Sequence, residues 1–296
     1  MKRILILLTA ALVLFTGCAE KQTITPEDST EKQLTIVTSF YPVYIMTLNI
    51  VKDIPGIGIY NLVRPTTGCL HDYQLTPEDL ITLEKAQIFI INGAGMESFL
   101  DKVTQQLPEL KVVDAGQGLA VITDQSGEPN PHLWVSVENA MRQVQNIAGQ
   151  LALQDPENAE SFRKNAEVYI GKLTKLRDKM HRELDSITNR NIITFHEAFP
   201  YFAKEFQLNI AAVIEREPGS APSAAELADT IQIIKKKDVQ AIFAEPQYPA
   251  NAARTIAGET GIKIYTLDPA VTGPLDPDAY VNIMEENLQT LAAALK

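Results

Sequence analysis

Two cysteines in 296 residues, Cys18 and Cys69, exclude a disulfide framework. No run beyond the first residues is long and apolar enough to span a bilayer. Basic residues are few: 26 Lys and Arg stand against 37 Asp and Glu, a formal charge of −11. That balance argues against nucleic acid and against docking on anionic lipid. Histidines number only four. No His-Glu-x-x-His sequence occurs, so the helical zinc-hydrolase signature is missing. What remains is an ordinary globular composition, 45% hydrophobic and 21% charged. The length suits two domains of typical size.

The N-terminus belongs to neither domain. Met1-Lys2-Arg3 is a short positive region, Ile4 to Phe15 is almost wholly apolar, and Thr16-Gly17-Cys18 follows. This is the pattern of a secretory signal over residues 1–17. Phe15-Thr16-Gly17-Cys18 also resembles a bacterial lipobox, whose cysteine is acylated and becomes the new N-terminus. Residues 18–33 are rich in Glu, Thr, Ser, Lys and Gln and read as a flexible tether. The folded part is therefore expected outside the cytoplasm, lipid-anchored to the cell membrane at the cell surface or in a periplasm. Loss of residues 1–17 removes Lys2 and Arg3 and no acid, which moves the formal charge from −11 to −13. With Cys18 acylated, no intramolecular disulfide is possible.

A long helix organises the rest. Asp155-Pro156-Glu157 reads as a helix start. Phe162, Ala166, Tyr169, Leu173, Leu176, Met180, Leu184 and Ile187 then recur at steps of three and four, which puts them on one face. On both sides, short β-rich runs alternate with helical stretches. Leu34–Ser39, Ile57–Val63, Gln87–Ile91 and Lys111–Val113 precede the helix as strands, and Ile192–Phe195, Ile210–Ile214, Gln240–Ala244 and Lys263–Leu267 follow it. The predicted architecture is α/β: an N-terminal lobe over 34–154, a linking helix over 155–188 and a C-terminal lobe over 189–296. Each lobe should hold a mostly parallel sheet flanked by helices.

In such sheets ligands bind beyond the carboxyl ends of the strands. His71 lies in the loop after Ile57–Val63, and His132 sits in the loop before the helix at Val137. His196 follows Ile192–Phe195 directly, as Asp268 follows Lys263–Leu267. Glu215 and Glu245 also stand at strand ends. The fourth histidine, His181, lies within the long helix and reads as surface or packing. Three imidazoles and one carboxylate, two from each lobe, suit a tetrahedral transition-metal site. A closed set of four is a binding site rather than a catalytic one, because catalysis needs an open position.

Several stretches, in order, resemble one family. They are Gly68-Cys69-Leu70-His71-Asp72-Tyr73, Asn130-Pro131-His132-Leu133-Trp134, Phe195-His196-Glu197-Ala198-Phe199-Pro200-Tyr201-Phe202-Ala203, Glu217-Pro218-Gly219-Ser220-Ala221-Pro222-Ser223, Phe243-Ala244-Glu245-Pro246-Gln247-Tyr248 and Leu267-Asp268-Pro269. The chain is similar, over nearly all of its mature length, to the solute-binding lipoproteins of zinc and manganese ABC transporters. The resemblance implies two α/β lobes joined by one long rigid helix, with the metal in the cleft between them. It implies ligands at His71, His132, His196 and Asp268, and a handover of the metal to a membrane permease. Three imidazoles and a carboxylate form a borderline-soft set that favours zinc first and manganese second, and four protein ligands leave little room for the water an enzyme would need. A monomer is expected.

Three features depart from the family or stay open. Val121 to Asn130 carries no histidine, so the His-rich capture loop of some zinc binders is absent. Cys69 stands two residues before His71, where a thiolate could compete for a soft metal or a small side chain could simply pack. Glu215 occupies a place where manganese binders use a carboxylate, yet His196 is present too. An extracytoplasmic zinc hydrolase could use Glu197, Glu215 or Glu245 as a base, but no His-Glu-x-x-His helix is present and four protein ligands leave water little room. A surface adhesin fits the anchor but does not explain three converging histidines. Mass spectrometry of the mature N-terminus should show acylated Cys18, whereas an unmodified protein starting elsewhere would contradict the anchor.

Overall fold

Strands of four or five residues alternate with helices along the chain, and the alternation resolves into two sheets. The computed structural model describes residues 34–70, 73–123, 127–214 and 222–296. The signal and tether, Cys18, His71 and Glu215 lie outside the described residues. The first half runs β1 (Leu34–Thr38), α1 (Tyr41–Val51), β2 (Ile57–Asn61), α2 (Pro77–Glu84), β3 (Ile88–Ile91), α3 (Leu100–Gln106), β4 (Lys111–Asp114) and α4 (Val137–Gln154). Then comes the long helix α5 (Ala159–Leu184). The second half runs β5 (Asn191–Thr194), α6 (Pro200–Glu205), β6 (Asn209–Val213), α7 (Ala224–Lys237), β7 (Ala241–Ala244), α8 (Asn251–Thr260), β8 (Lys263–Thr266) and α9 (Ala279–Leu295).

All pairings between these strands are parallel. The two sheets have the same order, β2-β1-β3-β4 and β6-β5-β7-β8. In each, the chain leaves the first strand toward one edge and returns past it toward the other. The loops after β1 and β3 therefore diverge, as do those after β5 and β7, and a crevice opens at each switch point. The central strands β3 and β7 are buried along their whole length, in keeping with their unbroken apolar sequence. Local signals set several helix starts. Thr76 with Asp79 and Ser223 with Glu226 both form capping boxes.

The long helix differs from the expectation at its ends. Pro156–Asn158 forms a 3₁₀ turn, and α-helix begins only at Ala159. Asp155 closes the preceding helix and accepts a bond from its neighbour's Asn158 Nδ2 at 2.7 Å, so it caps nothing in α5. The 26 residues of α5 span about 39 Å. Its buried face is the one read from the spacing: Phe162, Ala166, Tyr169, Leu173, Leu176, Met180 and Leu184. That face packs against α4 and α1 of the first half and α9 of the second. One hydrophobic core consequently runs through both halves, and a smaller one around Ile193, Phe195, Ile242 and Ile256 serves the second sheet alone.

Buried hydrogen bonds add to that packing across the halves. Trp134 Nε1 donates to the Pro269 carbonyl at 2.7 Å, and the Tyr280 hydroxyl donates to the Trp134 carbonyl at 2.7 Å. The Tyr41 hydroxyl donates to Pro274 at 2.9 Å, and Asn49 Nδ2 to Pro277 at 2.8 Å. A wide opening of the halves would strand these groups at about 1–3 kcal/mol each, which opposes hinge motion.

The loop after β3 carries a buried acid. Glu97 accepts from the backbone N–H of Asn92 at 2.8 Å and of Gly93 at 3.2 Å. Burial outweighs these bonds and pushes its carboxyl up to about 7, from an ordinary 4.5. Between those values the folded chain keeps a proton that the unfolded chain releases, so this group makes stability fall as pH rises. The slope should reach about 1.4 kcal/mol per pH unit within the window. Urea unfolding midpoints measured from pH 4.5 to 7.5 should show that Glu97→Gln flattens the slope relative to the parent chain. An identical slope in both would contradict the assignment.

Candidate functional site

His132 is set by its own loop. Asn130 Nδ2 donates to the Glu197 carbonyl at 2.8 Å, which turns Asn130 Oδ1 toward the histidine. That oxygen accepts from the His132 backbone N–H and from Nδ1, both at 3.0 Å. The loop is fastened from the first sheet's switch point: Asn92 Nδ2 donates to the Pro131 carbonyl at 2.9 Å, and Gln143 Nε2 holds Asn92 Oδ1 at 2.9 Å. Trp134, two residues on, is fully buried and packs edge-on against Phe40 at 5.0 Å between ring centroids.

His196 is set at the second sheet's switch point. It lies in the loop after β5, and Glu245 lies just after the neighbouring strand β7. Glu245 Oε1 accepts from His196 Nδ1 at 2.5 Å and from the His196 backbone N–H at 3.2 Å. Both side chains are fully buried. The ring of Tyr248 packs edge-on against His196 at 5.8 Å.

In both histidines the acceptor behind Nδ1 has no proton to give, so Nδ1 carries the hydrogen and Nε2 presents its lone pair. The two Nε2 atoms face one another at 3.3 Å. Two lone pairs at that distance repel unless a cation lies against both. Two imidazole nitrogens on one tetrahedral zinc, with Zn–N near 2.0–2.1 Å, stand about 3.3 Å apart. The third member of the cluster is Cys69, whose Sγ lies 3.9 Å from His196 Nε2. Donor atoms of Cys69, His132 and His196 all fall within 4.8 Å of one another, the only such group of three or more among the described residues.

The carboxylates around this centre do different things. Glu245 stands behind His196, and its Oε2 is buried with no hydrogen-bond partner among the described residues. Asp268 lies at the end of β8, clamped by Asn287 of α9, which accepts from its N–H at 2.8 Å and donates to its carbonyl at 2.7 Å. Its Oδ1 accepts from the Ala270 N–H at 2.8 Å and from Gln247 Nε2 at 3.0 Å. Burial raises its carboxyl above the usual range, and the charge of Glu245 pushes the same way. Asp268 does not join the donor cluster among the described residues. The buried Glu245 carboxylate behind His196 favours a cation there. His181 sits apart on α5, bonded to Asp185 at 3.2 Å and tilted against the ring of Phe206.

Two contributors had no role in the sequence reading. Asn130 was visible only as part of a motif, although an Asn two residues before His132 is the signature of a side chain that bonds the backbone two positions on. Tyr248 over His196 had no local signal. Glu245 was expected near the metal, and the structure puts its oxygen behind the imidazole, as the partner that fixes the ring.

Comparison with known proteins gives relatives over nearly the whole chain. The High-affinity zinc uptake system protein ZnuA of Bacillus subtilis is 31% identical over 98% of this chain and 97% of its own length. The Manganese-binding lipoprotein MntA of Halalkalibacterium halodurans is 26% identical over 94% of this chain and 93% of its own. Among solved structures, the solute-binding protein FpvC of Pseudomonas aeruginosa in complex with Mn2+ superposes with a TM-score of 0.80, at 29% identity, covering 89% of this chain and 98% of that one. Such proteins bind metals for transport and are not enzymes. Residues 36–294 match the family model of ZnuA, the periplasmic component A of zinc-uptake complexes, and the chain belongs to that family.

Proposed function

We propose that this chain captures Zn2+ outside the cytoplasm and hands it to the permease of an ABC transporter, held to the membrane by an acylated Cys18. The observation that carries the reading is the pair of Nε2 lone pairs at 3.3 Å, each fixed from behind by a buried acceptor. His132 and His196 serve as ligands in this proposal. His71 supplies a third imidazole from the loop after β2. The acidic fourth place that the resemblance gives to Asp268 remains with a carboxylate or passes to Cys69.

Zinc is preferred over manganese on donor chemistry. Imidazole nitrogen is a borderline donor, and zinc stands well above manganese in the affinity order for such sites. Manganese asks for more oxygen and a higher coordination number. The relatives include binders of each metal, so donor chemistry must decide. Glu215 offers the oxygen that a manganese site would use.

Metal analysis of untagged protein, followed by competition titration, tests the proposal. One zinc per chain is expected. Glu245→Gln should weaken zinc about 10- to 100-fold by releasing the ring of His196. His196→Ala should weaken it further, and Glu215→Ala should leave it nearly unchanged. Affinity should also fall as pH drops below the free-histidine value of about 6.5, because ligand imidazoles must be neutral. If Glu215→Ala abolishes binding and His196→Ala leaves manganese binding intact, the manganese reading replaces this one.

A further inference from the structure

We propose that Cys69 is a metal ligand, a donor beside His132 and His196, and that Asp268 stays outside the donor shell. The inference rests on the metal-capture reading above and narrows the cargo to soft and borderline cations.

Position carries the argument first. Cys69 Sγ lies 3.9 Å from His196 Nε2. Sulfur and nitrogen on one tetrahedral zinc stand about 3.5 Å apart, given Zn–S near 2.3 Å and Zn–N near 2.0–2.1 Å. A shift of a few tenths of an ångström in one side chain closes the difference. Asp268 does not meet the same test, since no carboxylate oxygen of it joins the described donor cluster. Its Oδ1 is already engaged by Ala270 and Gln247, and Gln247 Nε2 is itself tied to Thr272 Oγ1 at 2.9 Å.

The loop around Cys69 is built to hold it there. Gly68 has φ of +87°, a conformation that favours glycine, and a side chain at that position would meet Tyr248 Oη at 3.2 Å. The chain thus turns beneath the tyrosine that packs on His196. On the other side, Leu70 is fully buried in the main core, and its carbonyl accepts from the Tyr73 N–H at 3.0 Å. Cys69 is fixed between a turn and an anchor, with its sulfur directed at the imidazoles.

Charge agrees with a thiolate. On binding, the thiol proton leaves to solvent and a sulfur–metal bond forms. With neutral imidazoles, one thiolate and the Glu245 carboxylate behind His196 together balance a divalent cation. Thiolate sulfur selects zinc or cuprous copper and disfavours manganese, which prefers oxygen.

Cobalt substitution of the full mature chain tests the proposal. Visible d–d bands report a tetrahedral Co2+ site, and an intense near-ultraviolet thiolate-to-cobalt band reports sulfur ligation. Wild type should show both. Cys69→Ser should keep the visible bands and lose the near-ultraviolet band; Cys18 remains in that variant, so the loss assigns the sulfur. Its zinc affinity should fall about tenfold or more, since even groups behind the ligands contribute that much. Asp268→Asn should keep both bands. Visible bands without the sulfur band in wild type would overturn the assignment of Cys69 and leave metal capture standing. A near-ultraviolet band that survives Cys69→Ser would overturn it too. No cobalt bands at all would overturn the metal-capture reading, and this inference with it.

Discussion

Two imidazole lone pairs aimed at one another are the constraint on which the rest of the structure depends. Left alone, such an arrangement is unfavourable, and it persists because each ring is locked from behind. Asn130 holds Nδ1 of His132, and Glu245 holds Nδ1 of His196. The two locks differ in kind. Asn130 is neutral and local, two residues from its histidine. Glu245 is charged, buried and 49 residues away. Its negative charge lies behind the His196 ring, where a bound cation would offset it.

Holding those rings within a few tenths of an ångström requires rigid supports. Each histidine sits beside a switch point of its own sheet, so its loop is anchored on parallel strands rather than on other loops. The two sheets are then fixed to each other by α5, whose apolar face is shared between them, and by buried bonds such as Trp134 to Pro269. Trp134 is the hinge of this logic. It follows His132 by two residues, packs on Phe40 after β1 and bonds the residue next to Asp268. A displacement of either half is therefore felt directly at the facing imidazoles.

Much of this was legible in the sequence, for reasons that are physical. The steps of three and four in α5 named its buried face because a helix repeats every 3.6 residues. The unbroken apolar run at Ile88–Ile91 named a strand covered on both sides. The start of α5 was misread because Pro156 opens a 3₁₀ turn as readily as an α-helix, and Asp155 spends its side chain on Asn158. Strand order was not legible, since the pairing of β1 with β3 joins residues about fifty positions apart and leaves no local trace. For the same reason the partnership of His196 with Glu245 and the approach of Cys69 to His196 needed coordinates. His196 and Glu245 follow neighbouring strands of one sheet, and Cys69 reaches them from a loop of the first half.

The family includes both zinc and manganese binders, and the donor set proposed above is one that suits zinc. Nitrogen and sulfur are gathered at the centre, and the carboxylates sit behind or beside it. The central claim is that one ion joins the two halves through imidazoles contributed by each. Thermal unfolding of the full chain, with zinc and with a strong chelator, tests it most directly. At free zinc a hundredfold above its dissociation constant, linkage adds about 2.7 kcal/mol. A melting temperature higher by about 5 °C or more is expected with zinc, and His132→Ala should abolish the difference. Coincident melts of the parent chain in zinc and in chelator would contradict the account.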